Sequence, residues 1–230
     1  MRKALRDWWQ ALEHLILPPV PLCGLCGEQP RLPVGACRGC LDSLAISWQG
    51  REVGGHLCFS LFPYQGYGRD LIHRMKFQRG YQIAFTLGFF LGLAAREEPA
   101  LAQVDILVPV PLSPGRLEKR GFNQAALLAD NIRGVWKRQV CAAAVRTRET
   151  KSQSGLSLTE RKRNVQGAFA LLPGFDLRKK TCLIVDDVIT SGNTFSALAR
   201  LIEDYGGRPM GIFAARTEIS SRSDVDAEKL

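Results

Sequence analysis

Two adjacent carboxylates followed by a loop of small hydroxyl residues are the part of this sequence best suited to chemistry. Asp186 and Asp187 follow the apolar run 182–185, and the loop 190–194, Thr-Ser-Gly-Asn-Thr, follows two residues later. Small residues and a glycine let backbone N–H groups converge on an anion, above all where a helix begins. The carboxylates would repel a phosphate, whereas sugar hydroxyls or Mg²⁺ suit them. A ribose 5-phosphate carries a diol beside its phosphate and would satisfy both groups.

The segments around this stretch predict the elements that hold it. The apolar run 182–185 is typical of a strand covered on both faces, as in a parallel sheet. Apolar residues at helical spacing between Phe195 and Tyr205 predict a helix that ends at Gly206-Gly207. The sequence contains no G-x-x-x-x-G-K-[ST] and no G-x-G-x-x-G after a strand, which excludes those phosphate loops. The competing interpretation is a Rossmann-like strand end with an ordinary Asp-Asp turn.

Further strands and helices fill out an α/β domain. The segments 59–62, 104–111, 141–145 and 210–215 are strand-like, while 67–77 and 81–95 are helical by pattern, and a helix follows residues 119–124. Residues 41–58 are interpreted as a connection. Lys76, at a helix end, could reach a phosphate, but the sequence alone favours a solvated lysine. The pattern predicts an α/β fold with a parallel sheet.

Four of the seven cysteines have the spacing of a metal site. Cys23 and Cys26, then Cys37 and Cys40, form two C-x-x-C pairs separated by ten residues. Four thiolates favour a structural Zn²⁺ over a catalytic one, because no coordination position stays open. The alternative, two disulfides, conflicts with the cytoplasmic location that we expect from an N-terminus without a signal-peptide pattern.

Composition limits the remaining possibilities. The 230 residues are 46% hydrophobic, enough for one substantial domain and a small appendage. We expect an amphipathic packing helix at 2–17, a zinc domain at 1–57 and a main domain at 58–230. The longest apolar stretch, 83–95, is too short to span a bilayer, so we expect no membrane insertion. The net charge of +9 favours anionic partners, although a merely solvated basic face is an equal alternative.

The acidic pair and its loop resemble the signature of the type I phosphoribosyltransferases, and the wider sequence resembles one family among them. The motifs are the cysteine pairs, Lys76-Phe77, residues 108–113, the run Arg-Gly-Phe-Asn-Gln at 120–124 and the Asp-Asp loop. Together they are similar to the ComF/GntX family over about residues 18–216. Ser191 replaces the more usual second Thr, and Asn193 stands where Ala is common. Neither difference removes a backbone donor.

The resemblance implies a type I phosphoribosyltransferase fold and a ligand, phosphoribosyl pyrophosphate (PRPP), held together with Mg²⁺. It implies that Asp186 and Asp187, the catalytic candidates, bind the ribose hydroxyls. It also implies a pyrophosphate loop around Ser113 and Arg116 and a flexible lid over PRPP. The 5-phosphate loop that it implies consists of Val188, Ile189, Thr190, Ser191, Gly192, Asn193 and Thr194, and the lid candidates are Arg148, Thr150, Lys151 and Gln153.

The family further implies a role in natural competence, with single-stranded DNA and competence-machinery proteins as partners. A capping box at 157–160 precedes Arg161, Lys162 and Arg163, which are our candidates for nucleic-acid contact. Two functions stay open: a binding protein that handles incoming single-stranded DNA, or an active phosphoribosyltransferase with an unknown acceptor. No residue stands out as its general base. A glutamine-dependent amidophosphoribosyltransferase is set aside, because Cys23 is internal and the first segment is too short for a glutaminase domain.

Overall fold

The structure is a computed structural model that describes residues 21–77, 80–147 and 167–217. Its strands are β1 (Gln49–Val53), β2 (His56–Pro63), β3 (Ile106–Pro109), β4 (Gln139–Val140), β5 (Ala144–Arg146), β6 (Phe169–Leu171), β7 (Thr181–Ile189) and β8 (Arg208–Arg216). Its helices are α1 (Arg38–Leu44), α2 (Gly66–Phe77), α3 (Gly80–Glu97), α4 (Pro114–Arg120), α5 (Gln124–Trp136) and α6 (Asn193–Asp204), with a 3₁₀ turn at Pro99–Leu101.

Six strands form one sheet in the order β1-β2-β8-β7-β3-β4. Strand β1 runs antiparallel to β2, and every other neighbouring pair in this sheet is parallel. The apolar run expected to be a buried strand lies in β7, where Leu183 pairs with Leu107 on one side and Met210 on the other. Strands β5 and β6 form a separate antiparallel pair. The parallel-sheet α/β class predicted from the sequence is confirmed.

Helices cover both faces of the large sheet, and a separate apolar core fills each side. Residues of α2, α3 and α5 pack on one face, and α6 packs on the other together with β5 and β6. Helices α3 and α5 approach each other closely at Gly88, where a Cβ atom would lie 2.6 Å from the Cβ of Asn131. The glycine therefore sets the spacing of this helix pair. No helix in the described part of the chain has the length and apolar character needed to cross a bilayer.

The cysteine module packs directly against the main domain. Cys23 and Leu25 are fully buried in the same core as Met75 and Ile83. The Arg74 guanidinium donates a hydrogen bond of 2.8 Å to the carbonyl of Leu25. The boundary expected between residues 57 and 58 falls inside β2, which pairs with β1 on one side and β8 on the other. The division into 1–57 and 58–230 stays a prediction, as does the helix expected at 2–17, which lies outside the described residues.

Several local expectations are corrected. The segment 41–58, which was expected to be a connection, contains the end of α1 and the whole of β1. The sequence did not indicate β1, because its polar and apolar residues alternate only weakly and most of the strand is exposed. Only residues 144 and 145 of the strand expected at 141–145 are in a strand, β5 of the small sheet, because β4 of the large sheet already ends at Val140. Residues 114–120 form a helix of their own that ends at Gly121, whose φ is 75°. Strand β7 continues beyond the apolar run, through the acidic pair, to Ile189.

Candidate functional site

A cavity of about 730 Å³ opens at the carboxyl ends of the parallel strands. Strands β2, β3 and β7 all end here, which is where parallel α/β sheets place their ligands. Residues 188–190 and 192–194 contribute to its wall. The polar and aromatic side chains that line it include Tyr64, His73, Lys76, Phe77, Arg116, Lys119, Arg120, Gln124, Arg146, Asp186 and Asp187. Among the described residues, five Lys and Arg side chains thus line the cavity with two carboxylates, so the cavity attracts anions.

The two carboxylates differ in their surroundings. Asp187 is 5% exposed, and its Oδ2 lies 2.8 Å from Lys76 Nζ and 3.4 Å from Gln124 Nε2, which donates to it. Asp186 is half-buried, and its Oδ1 accepts a hydrogen bond of 2.9 Å from the N–H of Asp187. Burial, together with repulsion from Asp187, raises the pKa of Asp186 to about 8, although that N–H and Lys76 act in the opposite direction.

The loop after the acidic pair leads directly into a helix, as predicted. Helix α6 begins at Asn193, and its N-cap, Gly192, has a φ of 74° and provides no side-chain cap. A Cβ at Gly192 would lie 2.5 Å from Val53 Cγ1 of the β1–β2 hairpin, so both conformation and space require glycine. The buried hydroxyl of Ser191 has no hydrogen-bond partner within the described part of the chain. The first turn of the helix directs its N–H groups toward this loop, and an anion would satisfy them.

Only some of the residues that follow β3 line the cavity. Arg116 and Lys119 lie on α4 and line the wall. Ser113 is the N-cap of α4, is 2% exposed and does not form part of the lining. Its hydroxyl makes no capping hydrogen bond. Of the two residues proposed for pyrophosphate, Arg116 therefore has the better access.

Lys76 is not the solvated lysine that the sequence favoured. Its side chain is 22% exposed and forms the ion pair with Asp187. Burial by itself would lower the pKa of Lys76, but attraction to Asp187 outweighs burial and raises it. No sequence pattern indicated this contact, since the two residues lie far apart in the chain and meet only through the fold.

Arg120 and Gln124 were also missed as site residues, although both belong to the Arg-Gly-Phe-Asn-Gln run. The Arg120 guanidinium donates a hydrogen bond of 2.9 Å to Gln124 Oε1, and Gln124 in turn donates to Asp187. Arg120 also lies over the ring of Phe77, 5.5 Å from its centroid. Burial lowers the pKa of Arg120, and the carboxylates partly offset this effect. The signal that could have indicated both residues was their place in the Arg-Gly-Phe-Asn-Gln run, on which the family resemblance partly rests.

The remaining residues of this run hold it in place. Asn123 caps α5 by accepting a hydrogen bond of 2.9 Å from the N–H of Ala125, and it donates one of 3.0 Å to the carbonyl of Val110. The ring of Phe122 lies against Gly80, where a Cβ would come within 2.1 Å of it. The run therefore connects the end of β3 to α3 and α5, and this fixes the position of Gln124 beside Asp187.

The four predicted metal ligands converge. The sulfur atoms of Cys23, Cys26, Cys37 and Cys40 all lie within 4.8 Å of one another. Four thiolates at about 2.3 Å from one Zn²⁺ would lie about 3.8 Å apart, so this cluster fits a tetrahedral site. The Cys23 sulfur accepts hydrogen bonds from the N–H groups of Leu25 and Cys37, and Tyr67 Oη lies 3.0 Å from the sulfur of Cys40. These contacts orient the ligands from outside the cluster.

Two groups of predicted residues lie outside the described residues and stay predictions. They are the lid candidates Arg148, Thr150, Lys151 and Gln153, and the nucleic-acid candidates Arg161, Lys162 and Arg163.

Comparisons with known proteins agree with this geometry. Residues 117–229 match the phosphoribosyl transferase domain, which includes the acidic pair and its loop. Competence protein F of Haemophilus influenzae is 32% identical over 191 residues, 81% of this chain and 80% of that protein. The chain belongs to the ComF/GntX family. DNA utilization protein YhgH of Escherichia coli (strain K12) is 36% identical over 198 residues, 84% of this chain and 81% of that protein. Competence protein ComFC of Streptococcus pneumoniae is 26% identical over 155 residues, 67% of this chain and 66% of that protein.

Proposed function

We propose that this ComF-family chain binds PRPP in the 730 Å³ cavity and acts in the handling of single-stranded DNA during natural competence. One observation supports this ligand: Asp186 and Asp187 lie beside the start of α6, and among the described residues the other charged side chains that line the cavity are cations. A phosphate and a diol on one small molecule match this combination of groups.

Each part of the cavity has a part of PRPP to bind. The N–H groups of loop 190–194 bind the 5-phosphate. Asp186 and Asp187 accept hydrogen bonds from the ribose hydroxyls, and Arg116 pairs with the pyrophosphate. Carboxylate oxygens suit Mg²⁺, so Asp186 and Asp187 are the residues that would hold the ion together with the ligand. The bound ion would offset part of the pyrophosphate charge.

The role in DNA use rests on the relatives. Their names describe competence and DNA utilization, and the chain's net charge of +9 suits a polyanionic partner. Arg161, Lys162 and Arg163 are proposed contacts, and competence-machinery proteins are proposed partners. The four-cysteine site is proposed to hold a structural Zn²⁺. The cytoplasm suits a protein whose cysteines act as thiolates.

The second candidate function is transfer of phosphoribose to an acceptor. His73 on the cavity wall favours it, because its imidazole places a base in the same cavity as the acidic pair. In this reaction the bond from ribose C1 to pyrophosphate breaks, and pyrophosphate leaves with the electron pair. The acceptor then bonds to C1 and releases a proton to the base. Pyrophosphate release from PRPP with candidate acceptors is the assay that separates transfer from binding alone.

Calorimetry with PRPP and Mg²⁺ tests the proposed ligand. The variant Asp186→Asn/Asp187→Asn keeps the shapes of both side chains but removes their charges, so we expect a large loss of affinity. Asp204→Asn is the matched control, since this residue is an exposed carboxylate at the far end of α6. Equal affinity of the double variant and the control would refute the assignment of the ribose site.

A further inference from the structure

Three large aromatic side chains are exposed where α2 gives way to α3. Phe77 is 53% exposed, Tyr81 62% and Phe85 53%. Phe77 is the last residue of α2, Tyr81 is near the start of α3, and Phe85 follows one turn later on the same face. We call these three residues the aromatic platform. Scattered exposed aromatics are ordinary, but here Arg120 contacts Phe77 and Phe122 contacts Tyr81, so one short segment of the chain links these rings into a single surface.

Other side chains hold the platform rings in place. The ring of Tyr81 lies 5.1 Å from that of Phe122, and the ring of Phe77 lies 4.9 Å from that of His73. Arg120 covers part of Phe77, with its guanidinium carbon 5.5 Å from the ring centroid. These contacts already order the rings of Phe77 and Tyr81. Binding a flat ligand on the free faces of these two rings therefore costs little further side-chain entropy.

Cations border the platform on the side of the cavity. Arg116, Lys119 and Arg120 belong to α4, and all three line the cavity together with Phe77. Phe77 thus belongs to both the platform and the cavity wall, and Arg120 contacts its ring. A surface that combines aromatic faces with cations is complementary to a single strand of nucleic acid, whose unpaired bases are joined by phosphates. A duplex is a poorer match, because the faces of its bases are hidden by stacking.

We propose that the aromatic platform binds single-stranded nucleic acid by base stacking, with Lys119 and Arg120 pairing to its phosphates. This proposal deepens the proposed role in DNA handling and rests on it. It assigns the site to residues of α2, α3 and α4, in addition to the candidates Arg161, Lys162 and Arg163 named from the sequence. The strand reaches the mouth of the cavity at Phe77, so a bound nucleotide and the phosphoribosyl ligand lie side by side.

Fluorescence anisotropy with a labelled oligothymidylate tests the platform. Tyr81→Ala and Phe85→Ala each remove one exposed ring without touching the cavity lining. We expect each variant to bind the oligonucleotide about five- to a hundred-fold more weakly, the range for loss of one stacked base. Tyr205→Ala is the matched control, because this residue is 49% exposed but lies beyond the end of α6, and it should bind as the wild type does.

Calorimetry with PRPP, repeated on the same variants, separates the two proposals. Unchanged PRPP affinity with weakened oligonucleotide binding supports the platform. Oligonucleotide binding that is the same in Tyr81→Ala, Phe85→Ala and wild type overturns the platform and leaves the proposed function standing. A wild-type chain that binds PRPP but no oligonucleotide overturns both the platform and the role in DNA handling. If wild type is a dimer in light scattering, and Tyr81→Ala or Phe85→Ala is a monomer that binds the oligonucleotide as wild type does, the platform is overturned as a nucleic-acid site and assigned to self-association.

Discussion

The ion pair between Lys76 and Asp187 permits a strict test of how the cavity is held together. Lys76 Nζ and Asp187 Oδ2 are 2.8 Å apart, and the exposed pair of Arg178 and Asp176 has the same separation of 2.8 Å. The two pairs differ in burial: the side chains are 22% and 7% exposed in the first pair, and 80% and 58% in the second. Replacing Lys76 with Met keeps most of the volume of the side chain but removes its charge.

The expected loss follows from burial. Removing one partner of a buried ion pair costs about 3–5 kcal/mol, because the remaining charge is left without compensation. Two features reduce this value here: Gln124 still donates to Asp187 at 3.4 Å, and Lys76 is not fully buried. We therefore expect Lys76→Met to lower the free energy of unfolding by about 2–3 kcal/mol at neutral pH. For a domain of this size that corresponds to a fall of about 5–10 °C in Tm.

Urea unfolding followed by circular dichroism measures this loss, and a double-mutant cycle assigns it to the pair. Asp187→Asn removes the other charge, so Lys76→Met in that background should cost about 2 kcal/mol less than it does in the wild type. Arg178→Met is the matched control, and we expect no resolvable change from it, since water and salt screen an exposed pair.

Two results would refute this reasoning. If the effects of Lys76→Met and Asp187→Asn simply add, the two side chains are not energetically coupled. If Arg178→Met destabilises the protein as much as Lys76→Met does, burial is not what gives the Lys76 pair its strength.

Three further predictions concern the loop, the acidic pair and the metal centre. Because the pKa of Asp186 is raised to about 8, its carboxylate forms only as the pH rises through that value. Affinity for PRPP with Mg²⁺, measured by calorimetry, should therefore increase across this range in the wild type, and a similar increase in Asp186→Asn would contradict the assignment. Gly192→Ala should lower the free energy of unfolding by about 1–3 kcal/mol. It should cost more than Gly174→Ala, whose φ of 88° is also positive but whose Cβ would meet no atom within 4 Å. Equal losses in urea unfolding would show that backbone strain alone matters. Cys26→Ser should lower the zinc content measured by mass spectrometry, while Cys141→Ser, outside the cluster, should retain it; equal zinc content in both would exclude the four-cysteine site.

Local patterns predicted the elements that carry the candidate site. The apolar run at 182–185 became the first half of β7, and the apolar spacing after Phe195 became α6, because each pattern lies within one element. The extent of β7 was harder to predict, since the acidic pair looked like the end of a strand. Pairing with β8 continues to Ile189 and keeps the chain extended through both carboxylates. The hairpin that begins at β1 was missed because its residues are mostly exposed and carry little apolar periodicity.

The contacts around Asp187 could not be predicted, because they join distant segments. Lys76 comes from the end of α2 and Gln124 from the start of α5, and no local pattern links either residue to β7. Val53, which limits residue 192 to glycine, likewise comes from another part of the chain.

The sequence by itself determined which chemical groups this protein brings to a ligand, since the carboxylates, the hydroxyl-rich loop and the helix start are consecutive in the chain. It also determined the four thiols, whose spacing within each pair is local. The tertiary structure alone decided which cations face those carboxylates and which carboxylate is buried. The physical reason is that parallel strands from distant segments end at the same edge of a sheet, so the field in the cavity is the sum of charges that only folding brings together.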